Sequence, residues 1–275
     1  MRADVLDAVS SWPVGTAAAA VVGPEGVLAA TGPLEHQFTL ASVTKPLAAL
    51  AILVAVEEEA VSLDDPADED VIPGATLRHL LAHASGLAPE RPMRSFPPAM
   101  RRVYSNVGIE LAAELVERAT DLPFPKYLDE AVVRPLHLTG TLLPGSPARD
   151  GVSTVADLAR VARELLASTG LLSAPMRAEL ATVQYPGLRG VLPGFGGQDP
   201  NDWGLGFEIR GPKSPHWTGS ANSPRTFGHF GQSGTFLWVD PDAQLALVAL
   251  TDRDFGDWAR TGWPPLADAV LCEYA

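Results

Sequence analysis

The sequence predicts a mixed α/β (α+β) chain in which an antiparallel sheet flanked by helices adjoins a mostly helical region. Three observations carry that expectation. Residues 203–209, 227–230, 235–240 and 244–251 alternate apolar and polar positions as half-buried strands do. Near the other end, 16–22 and 27–31 are small, β-tolerant runs joined by Gly23-Pro24-Glu25-Gly26, which reads as a hairpin. Between them helical periodicity dominates. Strands at the two ends must pair across the insert. Residues 1–41 and 204–275 are therefore expected to form the sheet part, and 42–203 the helical part, of a single catalytic domain spanning 1–275.

Taken in order, residues 3–11 read as a short helix stopped by Trp12-Pro13. From Ser42 to Ala60 the chain is Ala/Leu-rich and nearly uncharged until Glu57-Glu58-Glu59, the signature of a buried helix. Pro46 suits its first turn, where backbone donors are orphaned in any case. Thr76 is the expected N-cap of a helix over 77–84, closed by Ser85-Gly86. Residues 88–103 form a proline- and arginine-rich loop. Helices follow at 106–119, with Leu111, Leu115 and Val116 on one face, and at 124–133, ended by Arg134-Pro135. Another is expected at 155–167, capped by Thr154, with Ala156, Leu158, Ala159 and Ala162 inward. The Gly/Pro-rich stretch 186–201 reads as a mobile loop, Asp240-Pro241-Asp242 as a turn, and 265–274 as a final helix.

Composition narrows the function. A chain of 275 residues, 46% hydrophobic, supports a sizeable core. Its net charge of −13 argues against nucleic acid and anionic membrane surfaces as partners. The lone Cys272 excludes an internal disulfide framework and is expected to be inert packing. The opening Met1–Asp7 stretch lacks a charged-then-apolar secretory pattern, and no apolar run approaches a membrane span; a cytoplasmic location is the expectation. The Ala/Arg/Pro/Gly bias suggests a GC-rich bacterial source. Lysine occurs only at positions 45, 126 and 213. Where arginine is the default cation a lysine is informative, because burial lowers its pKa and lets it act as a base.

That lysine closes Ser42-Val43-Thr44-Lys45, with the hydroxyl near the positive end of a helix dipole and the amine one turn later on the same face. Alone, a Ser-x-x-Lys match is weak. Two further segments strengthen it: Tyr104-Ser105-Asn106 at a loop-to-helix junction, and Gly228-His229-Phe230-Gly231-Gln232-Ser233-Gly234 along a strand.

Ser42-x-x-Lys45, Tyr104-x-Asn106 and His229-x-Gly231, in that order, resemble the serine β-lactamase and D,D-peptidase superfamily, and within it the class C-like branch that includes many esterases. Supporting stretches similar to that branch are Leu80–Leu87, Trp203-Gly204-Leu205-Gly206-Phe207 and Leu63-Asp64-Asp65-Pro66. The likeness runs from about residue 20 to 255. It implies a β-lactamase/transpeptidase-like fold and an acyl-enzyme mechanism without metal or cofactor. Ser42 would be the nucleophile and Lys45 the base that takes its proton. Tyr104 would shuttle that proton to the leaving group. Asn106 would bind the substrate's acyl-side amide or carbonyl, with His229 and Gly231 also in the binding strand. The backbone N–H groups of Ser42 and Gln232 would form the oxyanion hole.

The departures bear on substrate. β-Lactamases of this branch typically carry Lys-Thr-Gly where His229-Phe230-Gly231 stands, and phenylalanine removes a hydroxyl that would bind a substrate carboxylate. An esterase or amidase on a small acyl substrate is therefore the first expectation. β-Lactamase or D-amino-acid peptidase activity is the second, and a non-catalytic penicillin-binding-like module the third. Segments 91–102 and 186–201 are expected to wall the cleft. His79 and His83 stand four apart, yet no glutamate follows His79 to complete a zinc motif, so both are read as core or helix-end residues. The Gly228/Gly231/Gly234 spacing lacks the context of a phosphate loop. The acids at 64–70 read as a solvated loop.

Overall fold

The structure is a computed structural model that describes residues 5–275. The predicted N-terminal helix begins outside the described residues at Ala3 and Asp4; its described part, Val5–Ser11, is a 3-10 helix that buries Leu6 and Val9. The hairpin follows as β1 (Ala17–Gly23) and β2 (Gly26–Thr31), and then a two-residue strand β3 (Phe38–Thr39). A 3-10 turn at Ala41–Val43 leads into α1 (Thr44–Glu57). The helical region continues with α2 (Leu77–Leu81), α3 (Asn106–Thr120) and α4 (Phe124–Leu128), the last extended by a π-turn at Asp129–Val133. Then come β4 (Val152–Ser153), α5 (Val155–Leu166), α6 (Ala174–Leu180) and a small hairpin of β5 (Gly190–Leu192) and β6 (Gly196–Gln198). The chain ends with β7 (Glu208–Ile209), β8 (Phe227–Gly231), β9 (Thr235–Asp240), β10 (Leu245–Thr251) and α7 (Asp257–Tyr274).

Six strands form one antiparallel sheet in the order β2-β1-β10-β9-β8-β7. The period of two sorts its residues cleanly. Ala18, Ala20, Val22, Leu237, Val239, Ala246, Val248 and Leu250 face the helical region. Ala19, Val21, Phe236, Trp238, Leu245, Leu247 and Ala249 face α7 and the N-terminal 3-10 helix. Both faces are covered, which is why β9 and β10 are buried along their whole length. In the middle of the helical layer α1 is buried from Thr44 to Ala55, as an all-round apolar helix must be.

Several expectations shift in detail. The strand predicted over 203–209 is only Glu208–Ile209, because Gly206 takes a positive φ and turns the chain against α1; a Cβ there would sit 2.2 Å from that of Ala49. The loop at 186–201 is built around the β5–β6 hairpin. The short pair β3–β4 and helix α6, capped by Ser173, were not legible from period alone. On α5 the buried face includes Val155 and Val161, while Ala156 is half-buried. The C-terminal helix starts before its two prolines. Pro264 and Pro265 withdraw partners only from the carbonyls of Arg260 and Thr261, both on exposed residues that water reaches. Cys272 is exposed rather than packed, since it lies on the outer face of that helix.

Arg102, one of the loop arginines, is buried and acts as a staple. Its guanidinium donates to the carbonyls of Ala82 (2.6 Å), Gln184 (2.7 Å) and Asn201 (3.0 Å), joining three segments that surround the site. Arg102→Met leaves those acceptors unpaired. Its unfolding free energy, measured by urea titration, is expected to fall by about 2–3 kcal/mol.

Candidate active site

The turn that bears Ser42 is held from two sides. The Leu40 N–H donates to the Gly151 carbonyl (2.8 Å), and the Gly151 N–H to Thr44 Oγ1 (2.9 Å). From the sheet, Ser233 Oγ donates to the Thr39 carbonyl (2.7 Å) and Thr235 Oγ1 to that of Leu40 (2.8 Å). Gly231 permits this approach, because a Cβ there would lie 2.3 Å from the Leu40 oxygen. Ala41, just before the serine, has a φ of 45°, a left-handed conformation that costs a non-glycine residue roughly 1–3 kcal/mol. The surrounding hydrogen bonds hold it there.

Ser42 Oγ lies between two partners. Tyr104 donates its hydroxyl to it at 2.7 Å, and Lys45 Nζ stands 3.2 Å away. Lys45 has no exposed surface and also donates to Asn106 Oδ1 and the Ala148 carbonyl, each at 2.7 Å. Desolvation lowers its pKa to about 7. A neutral amine has two N–H bonds and one lone pair; with both N–H bonds directed to Asn106 and Ala148, the lone pair is left for the serine proton. Tyr104 behaves oppositely: burial raises its pKa well above the usual phenol value, so it stands as a protonated donor. Its ring packs on His83, Trp203 and His229, with centroids 4.7, 5.7 and 5.8 Å apart.

On β8, His229 Nδ1 lies 2.7 Å from the Phe230 carbonyl. A carbonyl only accepts, so Nδ1 carries the proton and Nε2 is a bare acceptor. Burial, reinforced by the Lys45 charge, pushes the His229 pKa down to about 3 and keeps the ring neutral. Ser42, Tyr104, Trp203, His229, Phe230 and Gln232, with Leu192, Pro193 and Glu208, line a cavity of about 150 Å³. The structure thus brings Ser42, Tyr104, His229 and Gln232 to one cavity, with Lys45 beside the serine and Gly231 against Leu40 and Ala41 just before it. Asn106 stands beside the lysine: its Oδ1 accepts from Lys45 and its Nδ2 donates to Glu90 (2.6 Å), which pairs with Arg149. In this arrangement it orients the lysine.

The expected helix-end histidines have structural partners. His79 Nδ1 accepts from the Thr76 N–H (3.2 Å) at the start of α2, and His83 Nδ1 from the Ser105 N–H (3.2 Å) behind Tyr104. Ser105 itself caps α3 by accepting from the Gly108 N–H.

Glu208 escaped the sequence reading. It is fully buried at the cavity floor, where its carboxylate accepts from Lys213, from His216 Nε2 (2.9 Å) and from Trp217 Nε1 (2.9 Å). Burial alone would raise its pKa, but His216 and Lys213 outweigh that and hold it well below the usual carboxylate range. These partners lie on the 210–226 excursion, so Glu208 ties that loop under the edge strand, in register with Gly228 of β8. A charge inside an apolar-looking strand was the available signal.

A family model described as Beta-lactamase matches residues 14–271. The chain belongs to the beta-lactamase family. A solved beta-lactamase from Mycobacterium bovis is 57% identical and superposes with a TM-score of 0.96, covering 98% of this chain and 99% of that one. A hydrolase with promiscuous acyltransferase activity shares the fold at 17% identity, with a TM-score of 0.79 over 97% of this chain and 96% of its own. A protein of Escherichia coli O157:H7, whose given name proposes a D-alanyl-D-alanine carboxypeptidase, is 27% identical over 201 residues, or 58% of this chain and 46% of the relative. The chain thus spans about half the length of the curated relatives it matches. The family is one of serine hydrolases, and the fold expected from the motifs is the fold observed. Among the described residues no helix is long and apolar enough to cross a membrane.

Two outcomes follow from these charges. With the Lys45 pKa lowered to about 7, kcat/KM is expected to rise about tenfold per pH unit up to that value and then level, measured by steady-state rates across pH 5–9. Glu208→Gln leaves Lys213 buried without its anion and lowers stability by about 3 kcal/mol in denaturant titrations. The wild-type contribution of Glu208 is present above its unfolded pKa near 4.5 and is lost as acid protonates the folded carboxylate.

Proposed function

We propose that this protein hydrolyses a small carboxylic ester or amide, esters first, through an acyl-enzyme on Ser42. The observation that carries the reading is the serine oxygen suspended between a lowered-pKa amine and a protonated phenol. Ser42 Oγ attacks the acyl carbon as its proton passes to Lys45. The oxyanion is received by the backbone N–H groups of Ser42 and Gln232. Collapse expels the alcohol or amine, which takes the Tyr104 proton, and the phenol is reprotonated from Lys45. Water then attacks the ester on Ser42, its proton returns along the same path, and the carboxylic acid departs with the serine restored. The neutral His229 and the Phe230 ring offer little to a substrate carboxylate, which favours a neutral acyl group.

Turnover of β-lactams or of D-amino-acid peptides is the second reading, favoured by the 57% identity to a protein described as a beta-lactamase. Intact-protein mass after brief mixing with activated esters and β-lactams separates the possibilities. A transient adduct absent in Ser42→Ala, decaying with product, supports hydrolysis and names the acyl preference. A persistent adduct indicates a penicillin-binding-like module, and no adduct from any donor overturns the proposal. Tyr104→Phe is expected to slow acylation by about 10²–10⁴ in stopped-flow traces.

A further inference from the structure

Tyr104 and Pro193 are shared between the serine cavity and a second groove of about 490 Å³, walled by Pro89, Phe96, Arg101, Val103 and Val191. Of the proposed catalytic groups only Tyr104 borders this groove; Ser42 and Gln232 do not. Tyr104, the group proposed to protonate the leaving group, is thus a wall common to both spaces.

The groove is apolar and flanked by unused cations. Met93, Met100 and Val191 are 55%, 63% and 52% exposed. Among the described residues, Arg91, Arg94, Arg101, Arg163 and Arg189 are the arginines with neither a carboxylate nor a hydrogen-bond partner for the guanidinium. All but Arg163 lie on the two segments that wall this groove; Arg101 stacks over Phe96, 5.6 Å from its ring centroid. The acids in 88–103 and 186–201 are Glu90, which is engaged by Arg149 and Asn106, and Asp199, six residues beyond the last groove-lining residue Pro193. On a chain of net charge −13, a groove lined by the free Arg101 guanidinium and bordered by segments that carry Arg91, Arg94 and Arg189 has the chemistry to hold an anion with an apolar stem.

We propose that this groove binds the leaving-group side of the substrate, and that this part is an apolar chain or ring ending in a carboxylate or similar anion. The inference rests on the acyl-enzyme reading above and adds the chemistry of the departing half. The leaving group is present only up to acylation, so the preference belongs in kcat/KM and not in deacylation.

The test compares hexyl acetate, 6-acetoxyhexanoate and 6-acetoxyhexylammonium, which form the same acetyl-enzyme. At low ionic strength kcat/KM for 6-acetoxyhexanoate is expected to exceed that for hexyl acetate about fivefold, with the ammonium ester the poorest. The preference is expected to shrink toward unity in 0.5 M salt, and in Arg101→Gln/Arg189→Gln at low salt. A ratio at or below one in the wild type, or a ratio unchanged in the double variant, overturns the inference. If the Ser42 acetyl adduct still forms by mass in that case, the hydrolase reading stands without it; if no ester yields an adduct, both fall.

Discussion

A lysine side chain with no exposed surface, one turn from a serine, is the constraint on which the rest of the site depends. Burying an ammonium is costly, and the chain answers by lowering the pKa of Lys45 to about 7 and directing two of its hydrogen bonds to fixed acceptors. Each acceptor brings structure with it. Asn106 opens α3 and is itself held through Glu90 and Arg149. Ala148 precedes β4, whose pairing with β3 fixes the strand leading into Ser42. An apolar, fully packed α1 is therefore part of the chemistry, because its neighbours exclude the water that would restore the lysine's charge.

The sheet supplies the other half of the geometry. Ser233 and Thr235 bond the carbonyls of Thr39 and Leu40, so β8 and the nucleophile turn are locked in one frame. At the sheet edge the short strand β7 would be frayed and exposed. Instead Glu208 gathers Lys213, His216 and Trp217 from the following excursion and closes that edge with a charged, hydrogen-bonded floor. Phe230, on the strand with His229, packs against Phe195 of the β5–β6 hairpin, and the hairpin's Leu192 and Pro193 complete the cavity wall. Three hydrogen-bond-capable rings, Tyr104, Trp203 and His229, and a phenylalanine line the space before the serine.

The sequence by itself determined the elements whose period or capping is strong. The buried helix after Ser42, Thr154 as the cap of α5, the β1–β2 hairpin and the strand at 235–240 were all legible, because local spacing and apolar content specify them. The order of Ser42-x-x-Lys45, Tyr104-x-Asn106 and His229-x-Gly231 pointed to the family, since each needs particular atoms at particular spacings. Tertiary structure decided what depends on atoms distant in sequence. No local pattern shows that Asn106 is occupied by Lys45 and Glu90, or that Arg102 staples three segments. Neither does one show that Glu208 is paired from beneath or that helix α7 runs through two prolines on an exposed turn. Those outcomes are set by burial and by which polar groups meet across the fold, and the free energy of a buried charge is decided only when its partners are in place.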